Sequence, residues 1–249
     1  LKTMPRFRDL EKEYGSVIKG LMKRSRKTPQ ASNASGPRYS LFLSFEKGMQ
    51  VLVDTLQNKI PSDRLMIGQP ILGISKSPSG SKWIIRHAAG NYEADKVCLG
   101  LSAPASAKLL QACDSELSAK LSSIDYESVA TIHFAYDEDQ VAHTRQGFGF
   151  VVPRTENSSI MACTFVDKKY PGRVPEGKVL LRVFAGGAYG KAVLAQDDEA
   201  LTASVQKDLE ALLGIQGKPH FTSLNRYPSA MPQYGLKQDE IVKYLSDRG

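Results

Sequence analysis

Three runs between residues 147 and 187 decide the fold: Gly147-Phe-Gly-Phe-Val-Val-Pro153, Ile160-Met-Ala-Cys-Thr-Phe-Val166 and Lys178-Val-Leu-Leu-Arg-Val-Phe-Ala-Gly-Gly187. Each is rich in Val, Phe, Leu or Thr and is bounded by Gly, Pro or a polar cluster, which predicts three strands of one antiparallel sheet. Side chains alternate along a strand, so Val151, Thr164 and Phe184 can share a face. Gly147, Gly149, Gly186 and Gly187 stand where the runs begin or end, and a missing side chain there lets another backbone or a flat ligand come close. On pattern alone, ordinary sheet core accounts for the same runs.

Working outward, Glu127–Asp137 alternates, with Ala130, Ile132, Phe134 and Tyr136 opposite Val129, Thr131, His133 and Ala135, as in a long strand with one buried face. Asp197–Leu213 carries Ala200, Leu201, Val205, Leu209, Leu212 and Leu213 on one side of a helix and ends at Gly214. His220–Tyr227 reads as a further strand, Pro228 and Pro232 as brackets of a turn, and Asp239–Arg248 as a last helix.

Upstream, Met4, Phe7, Leu10, Tyr14, Val17, Ile18, Leu21 and Met22 form one helical stripe opening near Pro5. Residues Thr28 to Arg38 read as a loop, Leu41–Phe45 as a brief strand, Met49–Ile60 as a helix and Leu65–Ile67 as a short buried strand. Gln69–Ser77 and Lys82–His87 flank a turn as a hairpin, and Tyr92–Ala94 adds a third strand. Lys96–Leu101 reads as a strand buried on both faces. Ser102 then caps a helix with Pro104 in its first turn, and another helix starts near Asp114.

Composition narrows the partners. A formal charge of +7 without an aromatic-interleaved basic stripe argues against nucleic acid, and fits a phospholipid surface or an anionic small molecule. No run of 18 apolar residues occurs. Cys98, Cys113 and Cys163 sit in apolar stretches without a CxxC, so they read as reduced, buried thiols of a cytoplasmic protein. The four histidines are dispersed, so no metal is assigned, and no GxSxG motif marks a nucleophile. Asp167-Lys168-Lys169 and Arg173 form a charged turn, either solvated or an entrance contact to acidic groups.

The order of strand, helix, strand, three-stranded excursion, strand and helix is similar to the returning half of the dinucleotide-binding domain in FAD-dependent oxidases. Further residues sharpen this. Glu13-Tyr14-Gly15-Ser16-Val17-Ile18, Ser44-Phe45-Glu46-Lys47-Gly48-Met49-Gln50, Ala94-Asp95, Tyr126-Glu127-Ser128-Val129-Ala130, Gly147-Phe148-Gly149, Tyr170-Pro171-Gly172-Arg173 and Pro232-Gln233-Tyr234 resemble, in order, the oxygen-dependent protoporphyrinogen oxidases of the flavin amine oxidase superfamily.

That resemblance implies an α+β chain: an amine-oxidase-type substrate domain, mostly antiparallel sheet with covering helices, plus an incomplete FAD-binding α/β domain. Residues 1–40 would lead into the FAD domain, 41–104 would be its returning part with the β-meander, 105–234 the substrate-binding domain, and 235–249 the start of the return. It implies oxidation of protoporphyrinogen IX or coproporphyrinogen III to the porphyrin, with FAD as cofactor and oxygen as acceptor. Gly149, Val151, Thr164 and Phe184 would form the substrate wall, with Phe184 against the ring. Ile71 would meet the adenine end of FAD through its backbone. No catalytic acid or base is assigned, because the cofactor carries the redox chemistry.

Peripheral membrane contact and a homodimer are open within the same resemblance. The sequence lacks the GxGxxG loop that would hold the pyrophosphate, and the chain opens at Leu1 without an initiator methionine. It is therefore expected to be the middle of such an enzyme, inactive and FAD-free alone. Two alternatives stand: another flavin amine oxidase or desaturase-like enzyme, and a non-catalytic module that binds a hydrophobic ligand.

Overall fold

The computed structural model describes residues 5–27, 42–145, 147–187, 190–235 and 238–247. Met4, Leu41 and the loop expected at Thr28–Arg38 lie outside them. The N-terminal stripe is two helices rather than one, α1 (Pro5–Tyr14) and α2 (Val17–Lys27). The break is at Gly15, whose φ of +68° is a left-handed turn that ends a helix.

Next come α3 (Gln50–Lys59), the strands β1 (Ile71–Lys76), β2 (Trp83–His87) and β3 (Gly90–Ala94), then α4 (Ala103–Leu110) and α5 (Ser115–Ser122). The long strand β4 (Tyr126–Asp137) is followed by β5 (Gly149–Val151), β6 (Ala162–Phe165), the short α6 (Val166–Lys169) and β7 (Lys178–Gly186). The one-turn α7 (Lys191–Leu194), α8 (Asp198–Leu213), β8 (Phe221–Pro232) and α9 (Gln238–Ser246) complete the order.

The chain divides into two compact units. One holds Pro70–Ile124 with the described residues of 1–40 and 234–249; the other holds Asp125–Gln233 with those of 41–69. In the first, β1, β2 and β3 form an antiparallel meander, with Lys76↔Trp83 and Trp83↔Ala94 in register. Lys76 lays its ammonium 3.9 Å above the Trp83 ring. Asp114 caps α5 by accepting from the Leu117 amide at 2.9 Å, and Ser118 donates its hydroxyl to the Ala107 carbonyl at 2.8 Å, fastening α5 to α4.

The second unit is built on one five-stranded antiparallel sheet in the order β5-β6-β7-β4-β8. One face carries Ala130, Ile132, Phe134 and Tyr136 from β4 with Val179, Leu181, Val183 and Ala185 from β7, all fully buried. Leu201, Val205, Leu209 and Leu213 of α8 pack with this set as a single core, whereas Ala200 and Leu212, expected on the same side, are exposed. Asp197 caps α8 by accepting from the Ala200 amide at 2.8 Å. Asp208 on the same helix accepts from the Ser158 hydroxyl and the Ser159 amide, at 2.7 and 2.6 Å, and so ties the β5–β6 loop to the helix.

Several expectations are corrected. Phe42–Phe45, Leu65–Ile67 and Lys96–Leu101 are not strands. An apolar run becomes a strand only when a ladder partner meets its backbone, and among the described residues none does so here; Met66, Ile67 and Leu101 are more than half exposed. The turn expected between Pro228 and Pro232 is the continuation of β8. The extra length is taken up by a bulge opposite Ser128, where the register steps from Glu127↔Met231 to Val129↔Tyr227 and Ser229 adopts φ 47°. Of the three cysteines, Cys98 is exposed, Cys113 is half-buried and only Cys163 is buried.

Two outcomes follow from this packing. Leu209→Ala removes a fully buried side chain and should cost about 2–5 kcal/mol in denaturant unfolding, whereas Leu212→Ala, on the exposed side of α8, should cost under about 0.5 kcal/mol. Burial pushes the Cys163 thiol up to about 12, so brief iodoacetamide treatment of the folded protein should alkylate Cys98 and leave Cys163 intact by mass spectrometry.

Candidate functional site

The second face of the five-stranded sheet is free of α8. Gly149 pairs with Thr164 and Thr164 with Arg182; Val151 pairs with Ala162 and Ala162 with Phe184. On β4, Arg182 meets His133 and Phe184 meets Thr131. Residues directly opposite in an antiparallel ladder lie on the same face. Gly149, Val151, Thr164 and Phe184 therefore share one face, the one opposite the core. Val151 is 75% exposed, and Thr164 and Phe184 are half-buried. They form an open wall rather than an enclosed pocket.

Gly149 is required by the sheet itself. Its φ is +146°, and a Cβ added there would lie 2.1 Å from the carbonyl oxygen of Cys163. The close approach is of backbone to backbone at the β5–β6 pairing. Cys163 faces the other way, in register with Phe150 and Val183, and belongs to the core rather than to the wall.

Sequence reasoning missed the polar centre of this face. Arg182 sits midway along β7, two residues before Phe184 and of the same parity, and its guanidinium carbon lies 5.5 Å from the Phe184 ring centroid. Its Nε is buried and has no hydrogen-bond partner among the described residues. Beside it, His133 is held below the usual 6.5, first by burial and then by the Arg182 charge, with a hydrogen bond to the Ser223 backbone opposing both. Thr131 is buried at 8% exposure. The available signal was a charged residue inside an apolar strand, on the parity assigned to the wall.

The charged turn is bonded within the fold at Asp167 and Arg173, while Lys168 is exposed. Arg145 donates to Asp167 at 2.6 Å, with both side chains largely buried. Arg173 donates to the Ser44 hydroxyl at 3.1 Å and to the Phe45 carbonyl at 2.8 Å, while Lys169 lies 4.1 Å over the Phe42 ring. These contacts hold Phe42–Glu46 beside Tyr170–Arg173 around a cleft of about 360 Å³. Ile71 opens β1 in the other unit, is 41% exposed, and borders an irregularity in the β1–β2 register between Ile71 and Gly73. Among the described residues no cluster of His, Cys, Asp and Glu can hold a metal, and no helix is long and apolar enough to cross a membrane.

The His133 environment gives a pH signature. The folded state favours the neutral ring, so on acidification the unfolded chain takes up a proton first. The stability that this ring contributes is complete above about pH 6.5, the unfolded value, and is lost as the pH falls from there through the lower pKa of the folded state. His133→Gln should therefore flatten the fall in denaturation midpoint between pH 7.5 and 5.5.

Comparison with known proteins assigns the chain a family. Residues 2–243 match the model of the family described as flavin containing amine oxidoreductase. The chain is 29% identical over 250 residues to coproporphyrinogen III oxidase of Bacillus subtilis (strain 168), covering 99% of this chain and 52% of that protein. It is 26% identical to the mitochondrial protoporphyrinogen oxidase of Nicotiana tabacum, covering 96% and 52%. A crystal structure of a candidate protoporphyrinogen oxidase from Exiguobacterium sp. 255-15 superposes with a TM-score of 0.77 at 28% identity, covering 99% of this chain and 50% of that one. The chain thus spans about half the length of the curated relatives it matches, and its fold is of the amine-oxidase type, mixed helix and antiparallel sheet. The chain belongs to the flavin containing amine oxidoreductase family.

Proposed function

We propose that this chain supplies the substrate-facing wall of an FAD-dependent oxidase that converts a porphyrinogen, protoporphyrinogen IX or coproporphyrinogen III, to the porphyrin with oxygen as acceptor. The observation that carries this reading is the single open face shared by Gly149, Val151, Thr164 and Phe184, with an arginine among them. A large flat macrocycle with carboxylate arms needs an apolar plane with isolated positive charge, and this face offers both. The names of the relatives support the same substrate class.

The residues present do not build a complete cofactor site. The sequence has no glycine-rich pyrophosphate loop, and Ile71 offers a backbone edge only. A bound flavin would supply the acceptance of hydride equivalents; no step through it is derived from these residues. What the chain's own side chains do is bind and orient. Phe184 and Val151 cover the macrocycle and keep water from it, Thr164 offers a hydroxyl at the same level, and neutral His133 adds no second charge beside Arg182. No side chain of the wall is assigned a proton transfer. A cytoplasmic setting, peripheral membrane contact and a homodimer belong to the same reading and rest on the family resemblance.

The test uses the protein from its complete reading frame. It should purify yellow, with visible flavin absorbance, and consume oxygen with either porphyrinogen; a colourless protein that takes up no FAD and oxidises neither compound overturns the reading. Phe184→Ala should weaken porphyrin binding about tenfold in fluorescence quenching.

A further inference from the structure

Among the described residues of the wall, Arg182 carries a buried donor that the fold leaves unbonded. Its Nε is desolvated without an acceptor, and neither the hydrogen bonds nor the ion pairs among the described residues include its guanidinium. A buried donor without an acceptor is unfavourable, and a guanidinium cannot escape the problem by losing its proton. The contrast within the same unit is informative. Arg145 closes on Asp167, and Arg226 donates to Asp198 and to the carbonyls of Leu194 and Gln196.

The neighbours of Arg182 on the sheet are Thr164 on one side and His133 on the other, and neither carries a negative charge. Phe184 lies under the same guanidinium, so an anion that meets Arg182 sits at the rim of whatever stacks on that ring. Burial and the adjacent charge keep His133 neutral, so the positive potential on this face centres on a single planar fork. A planar fork at the rim of an aromatic platform matches a carboxylate carried on the edge of a flat ring.

We propose that Arg182 binds a carboxylate arm of the substrate and thereby favours a reduced tetrapyrrole with four such arms over one in which apolar groups replace two of them. This rests on the porphyrinogen reading above and deepens it, by assigning substrate preference to one side chain of the wall.

The experiment compares the flavin-loaded, full-length protein with Arg182→Leu, Arg182→Gln and Arg182→Lys. Two readouts are taken: kcat/KM for coproporphyrinogen III, with four carboxylates, and protoporphyrinogen IX, with two; and the Kd of the corresponding porphyrins by fluorescence quenching. In Arg182→Leu and Arg182→Gln the loss for the tetracarboxylate should exceed the loss for the dicarboxylate by about tenfold or more, mainly through KM, with the same ordering in Kd. Arg182→Lys, which keeps the charge without the fork, should fall between.

Equal losses for both substrates, no loss in either, or loss of bound flavin from the variants would each overturn the proposal, the last by giving Arg182 to the cofactor. If Arg182→Leu does not fold, the near-isosteric Arg182→Gln and the charge-retaining Arg182→Lys carry the comparison. A wild-type protein that binds both porphyrins yet oxidises neither porphyrinogen sinks the proposed reaction alone, and the binding readout then decides the role of Arg182.

Discussion

The packing of α8 on one side of the sheet governs the rest of the second unit. Leu201, Val205, Leu209 and Leu213 close over Ala130, Ile132, Phe134 and Tyr136, and over Val179, Leu181, Val183 and Ala185, until water is gone from that side. Apolar area removed from water is the main favourable contribution to folding. Because strand side chains alternate strictly, fixing this side also fixes which residues face outward. The wall at Val151, Thr164, Arg182 and Phe184 is thus a by-product of core formation, and its composition is free to serve another purpose.

Much of this was legible in the sequence wherever periodicity and a nearby partner coincide. The strands around residues 150, 163 and 182 and the meander carry period and partner in adjacent sequence. The long β4 and the helix at 198–213 show their period over many residues, although the partners of β4, β7 and β8, are distant in the chain. The shared face of Val151, Thr164 and Phe184 followed from parity alone. What escaped was of two kinds. Leu65–Ile67 and Lys96–Leu101 have strand composition, yet hydrogen-bond pairing belongs to the assembled sheet and not to the run. The break at Gly15 and the bulge at Ser229 depend on single backbone angles, which a regular apolar pattern hides.

The site shows the same division. Residue type left the charged turn near Asp167 and Arg173 as either a solvated loop or an entrance contact for acidic groups; in the fold Asp167 bonds to Arg145, and Arg173 to Ser44 and Phe45. Charge on a loop says little about function until its partners are known. Arg182 is the reverse case, a cation inside an apolar strand whose neighbours leave it without an acceptor. A cation placed beside an aromatic ring and a neutral imidazole holds its field on one spot of the surface, which suits recognition of a single anionic group.

The outer strand β8 carries one more implication. Pro228 and Pro232 lack amide hydrogens, and the step opposite Ser128 twists the strand between them. A neighbouring polypeptide that tried to extend the sheet along this margin would find donors missing at intervals and no straight template to follow. The margin therefore resists fibrillar stacking, and the five-stranded sheet can persist without recruiting copies of itself through this rim.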